Sequence, residues 1–166
     1  MTIETLRDLY VSEIQDLYDA EKEIVKALPK MFEAASSEEV RSAFQDHLQI
    51  THKQVERLER VFEMLGERPK TRKCQGIRGI ISEGEDIIDA DAGPSIMDAA
   101  LIAAAQRVEH YEIAVYGTVC AYAKQLGFED QLELLVETLQ EEKEADEQLT
   151  EIAESVINVE AARKAG

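Results

Sequence analysis

The chain has 166 residues, 45% of them apolar and 32% charged, enough for one domain with a core and too few for two comfortable ones. Its formal charge of −17 sets it against nucleic-acid phosphates and anionic membrane surfaces, and fits either solubility or the attraction of cations. No run of about 18 apolar residues exists, so no membrane span is expected.

Glu, Lys, Ala and Leu dominate long stretches, prolines number three and aromatics make up 5%, so the chain is expected to be all-α. A first helix is expected over about 3–35, where Leu6, Leu9, Asp16, Ala20, Ile24, Ala27 and Met31 recur at three-and-four spacing. Ser36 followed by Glu39 fits a capping box and starts a second helix. Its expected stripe is Val40, Phe44, Leu48, Thr51, Val55, Leu58, Phe62 and Leu65, and Gly66 and Pro69 end it. Residues 70–93 read as a crossover with one short helix, weakened by Gly79 and Gly84. Pro94 suits the first turn of a third long helix, about 95–126, which Gly127 stops. A fourth covers about 129–159, and residues 161–166 are expected to fray. Two tight hairpins joined by one long crossover form a ferritin-like four-helix bundle, a single domain over 1–160 with a short extra helix between helices two and three.

Acids interrupt the apolar stripes. The third long helix carries Glu109 and Glu112 between Ala105 and Tyr116, and the fourth carries Glu142 and Asp146 between Leu139 and Leu149. Asp16 sits in the first stripe, and His52 lies near the second. Buried carboxylates must be paired, protonated or bound to metal, and crowded like charges raise one another's pKa unless a cation neutralises them. Spacing supports a shared site. Asp16 to Gln49 is 33 residues and Glu109 to Glu142 is also 33, so each hairpin can supply half of a two-metal centre. "DLYD" (16–19) echoes "EHYE" (109–112).

The runs "LYDAEKEI", "AFQDHLQITHKQVERLERVF", "DAALIAAAQRVEHYEIAVYG" and "ETLQEEKEADEQLT" together resemble the stress-related YciE/YciF-like bacterial family of the ferritin-like superfamily. The resemblance spans the chain and reaches rubrerythrin in its site spacing. It implies metal ligands at Asp16, Gln49, His52, Glu109, Glu112, Glu142 and Asp146. Gln49 stands where the family pattern usually has glutamate, and Asp146 where rubrerythrin has histidine, so one metal position is expected to be weaker. Tyr18, Asp19, His47, Thr51 and Tyr116 are candidates to surround the ligands, with core packing the alternative for the tyrosines and partial exposure for His47. His110 points off the Glu109 face, and Glu21 lies off the first stripe, between a salt bridge and a supporting role.

The expectation is therefore two metal ions, iron first and manganese or zinc as alternatives, in a stress-linked protein with oxygen, peroxide or ferrous-iron redox chemistry. The rival is a non-enzymatic structural or interaction bundle with a partly degraded site. Phosphate loops, nucleophile elbows and calcium loops are absent from the sequence. Cys74 and Cys120 form no CxxC and cannot supply the four thiolates of a rubredoxin-like module, so a redox-active site would need a separate electron donor. The N-terminus lacks a basic region followed by an apolar run, and a cytoplasmic homodimer is expected.

Overall fold

The computed structural model describes residues 3–163. All its regular elements are helical: α1 (Leu6–Ala34), α2 (Glu38–Leu65), α3 (Gln75–Ile88), α4 (Pro94–Leu126), α5 (Glu129–Ile152), a π-helical turn (Ala153–Ile157) and α6 (Asn158–Arg163). α1 and α2 form one hairpin and α4 and α5 the other; α1 packs on α4, and α2 on α5. α3, in the crossover, lies against α4 and α1. This is the expected bundle. Of the tail expected to fray from 161 onward, residues 161–163 belong to α6, and residues 164–166 lie outside the described ones.

The helix ends follow local chemistry. Thr5 and Asp8 form a reciprocal capping box at the start of α1. Gly66 and Gly127 end α2 and α4 at φ of 70° and 71°, the left-handed region where a side chain would add strain. The capping box expected at Ser36 and Glu39 is not formed. Ser37 is the cap residue, its hydroxyl bonds Glu39 at 2.6 Å, and no cap side chain takes a backbone N–H. Asp98 of α4 instead accepts the N–H groups of Ser36 and Ser37 at 2.7 and 3.0 Å, tying the two hairpins together.

Asp19 anchors the crossover. Its carboxylate accepts the Cys74 N–H at 2.9 Å at the start of α3 and pairs with Arg78, which also holds Glu23 at 3.0 Å. Gly76 lets α3 approach α4, since a Cβ there would stand 2.7 Å from the Tyr111 ring. With α1, α3 and α5 all against it, α4 has little surface left for water, which accounts for its run of alanines and apolar residues.

The apolar core has two parts. One gathers Ile24, Leu28, Phe44, Ile77, Leu101, Ile102 and Leu149; the other gathers Tyr10, Ile14, Leu17, Leu58, Phe62, Tyr116 and Leu135. Each fully buried Leu, Ile or Phe contributes about 1.5–3 kcal/mol. Between the two parts, all four long helices turn polar side chains inward at one level: Glu21 from α1, His47, Thr51 and Gln54 from α2, Glu109 and Glu112 from α4, and Glu142 from α5.

Candidate metal centre

Glu109 and Glu112 are three residues apart on α4 and share its inward face, with Tyr116 one turn further on. His47, Thr51 and Gln54 follow the same rule on α2. One ligand atom from each of His47, Glu109, Glu112 and Glu142 can be chosen so that all four lie within 4.8 Å of one another. The His47 Nε2 is 3.6 Å from Glu109 and 3.9 Å from Glu142. The Gln54 amide donates to Glu142 in a short hydrogen bond and to Glu141 at 3.1 Å. Tyr116 donates a short hydrogen bond to Glu21. Arg57 stays on the rim, bonded to Glu141 and Glu137.

The polar layer is under-partnered. Glu21 Oε2, His47 Nε2, Gln54 Oε1, Glu109 Oε2, both Glu112 oxygens and Glu142 Oε2 are buried without a hydrogen-bond partner. An orphan buried polar atom costs about 1–3 kcal/mol, and more when charged. Burial, then repulsion from Glu142, pushes the Glu109, Glu112 and Glu21 carboxyls well above the usual range. Burial also lowers His47, against the pull of Glu142 and Glu141. A neutral imidazole with a free ring nitrogen, facing carboxylates that lack counter-charge, is a donor set that fits a divalent cation.

The sequence-derived ligands divide. Glu109, Glu112 and Glu142 converge, whereas Gln49 and His52 are exposed and lie outside the cluster. The inward line of α2 runs Val40, Ala43, Phe44, His47, Thr51, Gln54, Leu58 and Val61, one position from the expected Leu48 and Val55. Five residues beyond His47, His52 points about 140° away from it. Asp16 is also corrected: it is half-buried and accepts the Tyr111 hydroxyl at 3.3 Å, outside the cluster. Asp146 sits at the edge, bonded to Gln106 at 3.2 Å and paired with exposed His110 at 3.1 Å.

Of the surrounding candidates, His47 belongs to the cluster itself, and Tyr116 touches Glu21. Thr51 donates to the His47 carbonyl at 2.9 Å. Tyr18 donates to Glu59 at 2.7 Å and Asp19 serves the crossover, so neither supports the centre. Glu21 and Gln54 are the residues sequence reasoning missed as core members of the site. The signal was present: Glu21 to Gln54 is 33 residues, as Glu109 to Glu142 is. The repeat was anchored five residues early, on Asp16 and Gln49. The amide that meets Glu142 is Gln54, not Gln49.

The chain belongs to the family described as Domain of unknown function (DUF892), whose profile matches residues 5–162. It is 43% identical to Protein YciF of Escherichia coli K12, over 99% of this chain and all of that one. The crystal structure of the E. coli stress protein YciF superposes with a TM-score of 0.90 at 43% identity, covering 94% of this chain and 99% of the other. YcfI from Rhodopseudomonas palustris, whose description proposes a structural role, superposes at 0.88 and 43% identity over 89% of this chain and 94% of its own. Among the described residues, no helix is long and apolar enough to cross a membrane.

Proposed function

For this member of the DUF892 family, we propose a bacterial stress-linked protein whose bundle centre binds two divalent metal ions, iron first, with manganese or zinc as alternatives. One observation carries the reading: four buried residues of α2, α4 and α5 each bring a ligand atom within 4.8 Å of the others, and each of the four has a buried atom without a hydrogen-bond partner. Charge supports the number of ions. Glu21, Glu109, Glu112 and Glu142 are buried, and among the described residues no lysine or arginine pairs with them. Four carboxylates balance two divalent cations.

Each side chain then has a role. Glu109, Glu112, Glu142 and His47 bind metal directly, and Glu21 joins them with its free oxygen while Tyr116 holds the other. Gln54 orients Glu142 through its amide N–H and presents a free carbonyl oxygen. Bound iron would supply redox chemistry with oxygen, peroxide or ferrous iron as the reacting species. The apolar core regions on its two sides shield the layer from bulk water in those directions, which strengthens the electrostatic interactions within it.

Gln54 and the structural role proposed for the R. palustris relative favour a second reading, a non-enzymatic bundle whose site stabilises the fold. Elemental analysis of protein purified without chelator separates metal binding from a vestigial cluster. About two transition-metal ions per chain supports the proposal; substoichiometric metal after growth with ample iron refutes it. If the metal is present, oxygen or peroxide consumption by the iron-loaded protein distinguishes the redox role from the structural one.

A further inference from the structure

Two cavities reach the metal-binding layer at the same corner and differ in the charge they carry. Leu28, His47, Ala105 and Glu109 line both. The cavity between α2 and α5 has a volume of about 140 Å³, and Asp46, Glu141, Glu144 and Gln148 border it. The cavity over α1, α3 and α4 is about 30 Å³, with walls of Ile24, Met31, Ile80, Ile81, Ile88 and Val108. Its other charged residues, Lys30 and Glu85, neutralise each other in a 2.6 Å ion pair.

Resting on the proposal that the centre binds metal, we infer that divalent cations enter it through the acidic cavity between α2 and α5, and not through the apolar one. A hydrated cation must shed water in steps, and each lost water needs a replacement oxygen or a neutralising charge. The acidic cavity offers such a series. Asp46 and Glu144 stand exposed at its mouth, Glu141 is half-buried, and the buried Glu109 Oε2 and His47 Nε2 wait without partners at its inner end. Glu141 is engaged by Arg57 and Gln54, so it borders the path without being free to capture the ion. The larger acidic cavity has room for several waters, whereas the apolar cavity has room for about one or two and, short of the shared corner at His47 and Glu109, offers only Glu85, already neutralised by Lys30, to replace hydration. A small uncharged molecule suits that second opening.

The test is the rate of Co²⁺ uptake by the apo protein, followed by stopped-flow visible absorbance, with melting curves to show that each variant folds. Asp46→Asn combined with Glu144→Gln removes two exposed mouth charges without touching a ligand. It should slow uptake roughly three- to tenfold at low ionic strength and leave the final stoichiometry unchanged, with the difference fading as salt screens the field. Ala145→Leu narrows the acidic cavity and should slow uptake at every salt concentration. Ala27→Leu narrows the apolar cavity and should load at the wild-type rate. Wild-type rates in both acidic-cavity variants, or slow uptake confined to Ala27→Leu, overturn the route while leaving the metal site standing. Failure of the wild-type protein itself to take up Co²⁺ overturns the site and the route together.

Discussion

Glu112→Gln tests the metal proposal most directly, because its effect should change sign with the metal. Glu112 is fully buried, neither oxygen has a hydrogen-bond partner, and Glu21, Glu109 and Glu142 surround it. Glutamine keeps the shape, removes one acid from the cluster and supplies an NH₂ that can donate to a neighbouring orphan oxygen. Relieving a buried unsatisfied group recovers about 1–3 kcal/mol. For a chain of this size each kcal/mol moves the melting temperature by roughly 2–4 °C, so the apo variant should melt about 2–12 °C above the apo wild type. With metal the order should reverse. Two ions, each at about 100 times its Kd, stabilise the wild type by about 5.4 kcal/mol, more than the apo gain, and the variant, having lost a carboxylate ligand, should gain much less. The assay is paired calorimetric melts at pH 8, with chelator and with excess Mn²⁺, supported by metal analysis. An apo variant melting at or below wild type, together with equal stabilisation of both proteins by Mn²⁺, would refute the reasoning and indicate that Glu112 is satisfied within the protein.

His47→Ala should release at least one metal ion per chain, whereas Gln49→Ala and His52→Ala should retain wild-type content; elemental analysis of the three decides which face of α2 serves the site. Gln54→Glu places a further carboxylate beside Glu142, so it should destabilise the apo protein by about 1–3 kcal/mol and tighten metal binding. A titration showing unchanged affinity would remove Gln54 from the site. Because burial and repulsion hold the protons of Glu21, Glu109 and Glu112 above the range where the unfolded chain loses them, unfolding releases protons and apo stability should fall as pH rises from about 5 toward the folded pKa values. His47, held neutral by burial, opposes this only below about pH 6.5. Apo melting temperatures should therefore decline between pH 6.5 and 8.5 while the metal-loaded protein stays flatter, and parallel pH profiles for both forms would count against the prediction.

The all-helical class, the two hairpins and the long crossover were legible in the sequence, because turn residues and three-and-four periodicity act locally. So were Glu109, Glu112 and Glu142: an acid within an otherwise small or apolar stripe signals a buried polar layer whichever helix faces it. The 33-residue repeat was also legible, since it records the length of a hairpin, but its anchor was not. On α2, Leu48 and Val55 fit an apolar stripe as well as the neighbouring line does, and one residue of phase turns a helix face by about 100°. That step separates buried His47 and Gln54 from the expected Leu48 and Val55, and Gln49 and His52, two residues from His47 and Gln54, fall on the exposed side. Only the packing of α2 on α1 and α5 selects between them. On α1 the choice was decided by α3, which recruits Asp19 through Cys74 and Arg78 and occupies that side of the helix, so that Glu21 is the acid delivered to the core. Periodicity determines that a helix has an inner face; neighbours with volume to fill and charges to place determine which side chains stand at its centre.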